Sequence, residues 1–428
     1  MASNPINSND DSKETRAAFV RELLGNKLNL ELRHMRPVAY EENFPFPYNH
    51  FVYAIEIDAQ SIAQIQIRQQ PGVQKIPSSL NSFILRLSNP AAKLNDKNII
   101  ENEVVALVLA RGALARHSPH LVPRVFGWGS AADSSHGWIL EEHMPGKPLS
   151  DDLSKMNGED QRFILGQLAD VVRCFQQYKL PQSIQMLGGL SFDASGAIVS
   201  SQLGFAPSGP YKSYEEGIIA DMHYKLALAD EHPRLNGWRD RGLRPRLNEL
   251  VSTGIETLML KLTKRDKTLV HGDLSMDNIH YDPATKRLSA VLDFTFAVVG
   301  TPNCQFLRSF NRGIGRVPGP YDECAELVSL RKAMLGEGFP EPLPTDTDEV
   351  KWSAAKAWHD QLEERDMYKP TNLPGLDQLT GLVWLSEHLL PFKIVNEVVV
   401  GNSTEEQLAR RKAELEVALD KYLTENGF

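Results

Sequence analysis

Two short segments constrain this chain more than any other part of it. One is Leu269-Val270-His271-Gly272-Asp273-Leu274-Ser275-Met276-Asp277-Asn278-Ile279-His280, and the other is Val291-Leu292-Asp293-Phe294. Both leave apolar runs, so each reads as a short buried strand that opens into a polar loop. Asn278 stands five positions after Asp273, and Asp293 stands twenty after it. A fold that carries them has to aim an acid, a carboxamide and a second acid from rigid backbone. Magnesium takes hard oxygen ligands, and phosphoryl transfer asks a protein for positioning and charge stabilisation rather than covalent chemistry. Asp273 is therefore the candidate base, with Asn278 and Asp293 as candidate metal ligands. Each residue alone has an ordinary reading: an Asx-turn at Asp273, a loop cap at Asn278, a strand end at Asp293. Together, with His271-Gly272 ahead and Phe294 behind, their order favours the chemical reading. His271 reads as a brace for the loop rather than a proton carrier.

At 428 residues the chain has room for two domains or two lobes around a cleft. A net charge of −9 argues against a nucleic-acid binder held by phosphate contacts. Cys174, Cys304 and Cys324 form no CxxC pair, so free thiols and a reducing compartment are expected. The start is polar and lacks the apolar core of a secretion signal. The longest wholly apolar run, Val104 to Ala110, has seven residues, whereas a bilayer span needs roughly 20. A soluble, cytoplasmic protein without membrane or nucleic-acid partners is expected; oligomeric state has no signature.

Residues 1–14 read as a disordered tail and Thr15 to Leu24 as an amphipathic helix. Strands are expected at Phe51–Ile57, Ser82–Leu87 and Gly137–Leu140, with a helix over Asn98–Arg116 between the last two. The broken stretch His143-Met144-Pro145-Gly146-Lys147-Pro148 marks a boundary between a small mixed lobe, 15–142, and a larger helical one, 143–428. Asp160–Tyr178 is a strong helix with Phe163, Ile164, Leu168, Val171, Val172 and Phe175 on one face. A hairpin turns at Ser195-Gly196. Helices are expected at Tyr214–Ala229, Arg244–Leu262 and through the C-terminal part. The last, Thr404–Leu423, is capped by Ser403 with Glu406, which also reaches Arg410.

The segment His271 to Ile279, followed by Leu292-Asp293-Phe294, closely resembles the aminoglycoside phosphotransferase and choline kinase-like families, relatives of the protein kinases that act on small molecules. The resemblance spans roughly residues 30 to 400. It implies an α+β, bilobal protein kinase-like fold: a five-stranded sheet and one helix in the N-lobe, a hinge, and a helical C-lobe. It implies ATP and Mg2+ as cofactors and a small-molecule hydroxyl as acceptor. Asp273 matches the catalytic aspartate, and Asn278 and Asp293 match the magnesium ligands. Arg86 sits where the family's third strand offers a lysine to the phosphates, and Glu103 where a helix glutamate pairs with that cation. An Arg–Glu pair keeps a bidentate geometry, although a plain strand–helix pair is the alternative. The match through Ile139 to Gly146 places the Glu142 carbonyl and the Met144 amide at the adenine edge, or else in an ordinary linker.

Two departures stand out. Arg86 replaces the lysine, and no glycine-rich loop joins the first two strands. Glu42 to Tyr53 holds Pro45 and Pro47 instead, which remove donors and fix φ. Asn49 is expected to offer a polar contact or a positive-φ turn. That loop keeps a second reading open, a nucleotide-binding pseudokinase acting as scaffold. A protein-serine kinase is disfavoured by Gly272 in place of arginine. Candidate acceptor residues are Gly209-Pro210-Tyr211, Asp322, Glu323, Trp352, Trp358, Asp360 and Glu363. Tryptophans with carboxylates suit an amine, but exposed helix faces and core anchors are the favoured reading for any one of them, and Trp352 and Trp358, six apart, do not share a helical face. His117 and His120 read as exposed loop residues. The acceptor, and ATP against GTP as donor, stay open.

Overall fold

A computed structural model describes residues 9–428 except 39, 43, 64–69, 261, 263–265, 309 and 322–323. The β-branched and aromatic runs form a five-stranded antiparallel sheet in the order β1-β2-β3-β5-β4. Its strands are β1 (Leu32–Pro37), β2 (His50–Ile57), β3 (Ser82–Ser88), β4 (Val125–Gly129) and β5 (Trp138–Glu142). Side chains alternate between the faces of a sheet, so register decides which residues meet. Val52 lies opposite Arg86, which lies opposite Ile139; Ile84 lies opposite Glu141. One face therefore carries Arg86 and Glu141. The other carries Phe51, Tyr53, Ile55, Phe83, Leu85, Leu87 and Leu140.

Helix α1 (Lys13–Glu22) and the π-helical turn Leu23–Lys27 cover that second face. Val20, Leu23 and Leu24 are buried in the same apolar cluster. This outer layer extends the expected plan of a sheet with one helix. The family resemblance gave no warning of it, although the amphipathic pattern of the helix did. After a short helix α2 (Ala59–Ala63), helix α3 (Ile99–Ala113) is buried along most of its length and brings Glu103 inward.

Contacts divide the chain into two compact units. The first holds residues up to Met156, Asp170–Pro210 and Lys267–Gly300; the second holds Asn157–Ala169, Tyr211–Asp266 and Thr301–Phe428. This partition differs from a single cut at 143, because strand pairing ties later segments to the first unit. There β6 (Lys147–Pro148) pairs with β10 (Ile279–Asp282), which also pairs with β11 (Arg287–Val291). The hairpin of β7 (Gly189–Phe192) and β8 (Ile198–Ser201) turns with Gly196 at φ 84°, as expected. Strand β9 (Thr268–Val270) pairs with β12 (Val298–Gly300). The second unit is helical, from Tyr214–Glu231 to Glu405–Glu425.

Three local expectations need correcting. The strong helix spans Gly158–Gln177, but Phe163 is 46% exposed while Leu165 is buried. At 100° per residue the buried stripe passes one step beyond Phe163. The final helix is capped by Thr404 and Gln407, not Ser403 and Glu406. Ser403 instead gives its hydroxyl to the Val399 carbonyl, and Arg410 pairs with Glu414. Lastly, Asn9 to Ser12, placed in a disordered tail, are ordered by contacts: Asn9 is 2% exposed and hydrogen-bonded at both ends of its carboxamide. Cys174, Cys304 and Cys324 form no disulfide, and His117 and His120 are exposed. Among the described residues no helix is long and apolar enough to cross a membrane.

Candidate active site

Gly272 explains why the first motif has its form. It sits at φ 80°, and a Cβ there would lie 2.0 Å from the Phe296 carbonyl oxygen. Only glycine lets the loop after β9 pass so close to the turn after Asp293. His271 ties the same two segments. Its Nε2 donates to the Leu292 carbonyl at 2.9 Å, and its Nδ1 accepts the Asp273 amide at 3.3 Å. The ring therefore carries its proton on Nε2. It packs on Phe294 with centroids 4.3 Å apart, and burial lowers its pKa to about 4. A neutral, buried, doubly engaged imidazole is a brace.

Beyond it, the Asn278 Nδ2 donates to the Asp273 carbonyl at 2.8 Å and lies 3.3 Å from Asp273 Oδ2. The Asn278 carbonyl accepts the Leu292 amide at 2.8 Å. Amide donors thus face Asp273, which leaves the Asn278 carboxamide oxygen as the atom a cation would use. Asp293 follows in left-handed backbone at φ 59°, a conformation aspartate tolerates and most residues resist. Its Oδ1 lies 2.9 Å from Arg86 Nη2.

Arg86 and Glu103 meet as expected, with Nη1 and Oε1 2.8 Å apart. Arg86 Nη2 also donates to Thr295 Oγ1 at 3.0 Å. His50 Nδ1 lies 3.3 Å from the same nitrogen. Burial and the neighbouring Arg86 lower the His50 pKa to about 3, so the ring is neutral. Two buried acids, Glu103 and Glu141, and the partly exposed Asp293 then surround one guanidinium. Burial pushes Asp293 up, but Arg86 outweighs it and holds the carboxyl well below the usual range. Glu103 is pushed up to about 8, chiefly by burial and against the pull of Arg86. Glu141 is pushed up to about 7 for the same reason. With Glu103 and Glu141 drawn toward their protonated forms, the clearly ionised acid is Asp293, and Arg86 balances it. The oxygen donors of Asn278 and Asp293 are of the kind a hard dication such as Mg2+ takes.

A cavity of about 350 Å³ reaches this cluster, lined by Arg86, Asp293, Asn49 and His50 and by residues before β2. Asn49 is in the wall, and its backbone is not left-handed, which corrects the expected positive-φ turn. The Glu142 carboxylate turns to Arg124, with contacts of 2.8 and 2.6 Å. Met144 follows β5 and is 9% exposed. His50, Glu141 and Thr295 escaped the sequence reading. Alternation along β3 and β5 was the available signal for Glu141, and the two-residue step from Asp293 was that for Thr295.

In the second unit Trp352 and Trp358 are buried core residues, which excludes an aromatic box. Asp360 pairs with Lys356 at 2.7 Å and Glu363 with Lys369 at 2.8 Å. Asp322 and Glu323 lie outside the described residues.

The sequence profile of the phosphotransferase enzyme family, APH, matches residues 73–327, more than half of the chain. The chain belongs to that phosphotransferase family. Among solved structures, the ternary complex of APH(2'')-IIa with streptomycin and ATP is similar at TM-score 0.50 and 11% identity. That match covers 94% of this chain and 96% of the other. Such a likeness shows the α+β kinase-like fold of this phosphotransferase. The ADP-bound aminoglycoside phosphotransferase APH(2'')-Ib is similar at TM-score 0.44 and 13% identity, over 93% and 96% of the two chains. No curated protein matches the phosphotransferase by sequence.

Proposed function

We propose that this phosphotransferase is a Mg2+-dependent kinase that moves the terminal phosphoryl group of ATP to a hydroxyl of a small molecule. The observation that carries it is the pairing of two loops. Gly272 and His271 lock the loop of Asp273 and Asn278 against the turn of Asp293, whose carboxylate Arg86 keeps ionised. Asn278 and Asp293 would hold Mg2+, which when bound neutralises charge on the transferred phosphoryl group. Asp273 would orient the acceptor hydroxyl and take its proton as the phosphorus–oxygen bond forms. Arg86 spends its terminal nitrogens on Glu103, Asp293 and Thr295. Its first task is then to set the metal-binding carboxylate, and its charge adds to the phosphate field.

The APH(2'')-IIa complex with streptomycin and ATP makes ATP the first donor to test and hydroxyl-rich cationic compounds the first acceptors. GTP is the second donor arm. The test is ADP or GDP release across a panel of small hydroxyl compounds, with wild type and Asp273→Ala side by side. We expect Asp273→Ala to lose at least about a hundredfold in turnover while keeping nucleotide affinity. Equal turnover in the variant would remove Asp273 from the mechanism. Mg2+-dependent stabilisation by ATP with no acceptor turned over would favour the scaffold reading.

A further inference from the structure

The connection between β1 and β2, residues 38–49, does without glycine, and its described residues are held from outside. Asn9 Nδ2 donates to the Phe46 carbonyl and the Tyr48 amide donates to Asn9 Oδ1, each at 2.8 Å. One carboxamide thus replaces the pairing that a β-ladder would give the backbone on either side of Pro47. Phe44 stacks on Tyr48 with centroids 5.0 Å apart, and Tyr40 donates to the Asp10 carboxylate at 2.8 Å. Asn89, just after β3, donates from its side chain to the Tyr48 carbonyl at 2.8 Å.

Arg16 fixes Asn9 in turn. It is 5% exposed, and its guanidinium lies over the Phe51 ring, 3.8 Å from the centroid. Its donors go to the carbonyls of Asn9 and Asp11 and to the Tyr53 hydroxyl. Among the described residues no carboxylate pairs with it. A buried arginine without a counter-ion is costly. Its position is explained if ordering the segment before α1 is its use. Asn9 and Arg16 line the same cavity as Asn49, His50, Arg86 and Asp293.

We propose that Asn9 and Arg16 are positioning residues for the nucleotide. The segment 9–16 is a strap that holds the 38–49 connection in the shape that walls the cavity over Arg86 and Asp293. It orders from outside a wall that has no glycine and in which prolines remove amide donors. This inference rests on the reading of the chain as a nucleotide-dependent kinase.

The test measures binding of a fluorescent ATP analogue with Mg2+, amide exchange in residues 40–49, and thermal stability without nucleotide. Wild type, Asn9→Ala, Arg16→Ala and Val20→Ala are compared. Val20 is buried in the apolar cluster and its side chain makes none of the hydrogen bonds of the strap, so its variant reports general loosening. We expect Asn9→Ala and Arg16→Ala to raise Kd about tenfold, the size expected from losing the hydrogen bonds that order the wall, and to speed exchange of the Tyr48 amide. Val20→Ala should lower Tm yet change Kd less than about twofold. Unchanged Kd in Asn9→Ala, or an equal rise in Val20→Ala, overturns the strap while leaving the kinase reading intact. No nucleotide binding by wild type overturns the kinase reading, and the strap with it.

Discussion

Gly272 shows how much one missing Cβ decides. Gly272→Ala would push its Cβ against the Phe296 carbonyl and hold alanine at positive φ, which is disfavoured by roughly 1–2 kcal/mol. Because the displaced loop carries Asp273, we expect kcat to fall about a hundredfold, as small misplacements at a reacting centre do. A steady-state assay checks this, and near-normal kcat would mean the loop relaxes without moving Asp273. Arg86 makes a second case. Lysine keeps the charge but cannot bridge Glu103, Asp293 and Thr295 together. Arg86→Lys is expected to weaken Mg2+–nucleotide binding about tenfold, measured as Kd; a tighter Kd would mean that lysine serves the phosphates directly. At this scale much was legible. Arg86 and Glu103 meet as their sequence positions implied, and His271 braces the loop. His50 and Thr295 were hidden because neither carries a motif, and their roles follow only from where register and a turn deliver them.

Elements were legible where periodicity was strong and less so where side chains compete. The strands at 50–57, 82–88 and 138–142 lie within a residue or two of expectation. The C-terminal cap slipped by one position because two adjacent hydroxyls compete for it, each with a Glu or Gln three residues on, and Ser403 gives its hydroxyl to the Val399 carbonyl instead. The cover given by α1 was harder to see. An amphipathic decapeptide announces an apolar face but not which surface it covers. Leu24→Ala removes a fully buried side chain from that layer, and a loss of about 2–5 kcal/mol is expected. Urea unfolding checks it, and a change below 1 kcal/mol would mean the layer is dispensable.

For the whole molecule, the acid-rich cluster ties stability to pH. Glu141 has its pKa raised from 4.5 to about 7, first by burial. Between those values the folded chain binds more protons than the unfolded one. Its contribution is therefore fully present below about pH 4.5, declines as pH rises, and is lost above about pH 7. Glu141→Gln has no proton to lose. Its stability relative to wild type should be higher at pH 8 than at pH 5, by an order of 1–3 kcal/mol. Chemical denaturation at both values checks this, and a pH-independent difference would mean Glu141 is ionised throughout. Sequence could not foretell that coupling, since it needs three acids brought from α3, β5 and the turn after β11.

The same distance along the chain has a consequence for biosynthesis. Arg86 and Asp293 are 207 positions apart, and at 5–20 residues per second a ribosome needs roughly 10–40 s to add the second after the first. Once residue 142 has emerged the sheet can form with its guanidinium paired to Glu103 but not yet to Asp293. The nascent chain must therefore keep that face hydrated or sheltered until residue 300 has emerged. Conditions that slow elongation between Glu142 and Lys267 should lower the yield of native protein more than equal slowing after Gly300.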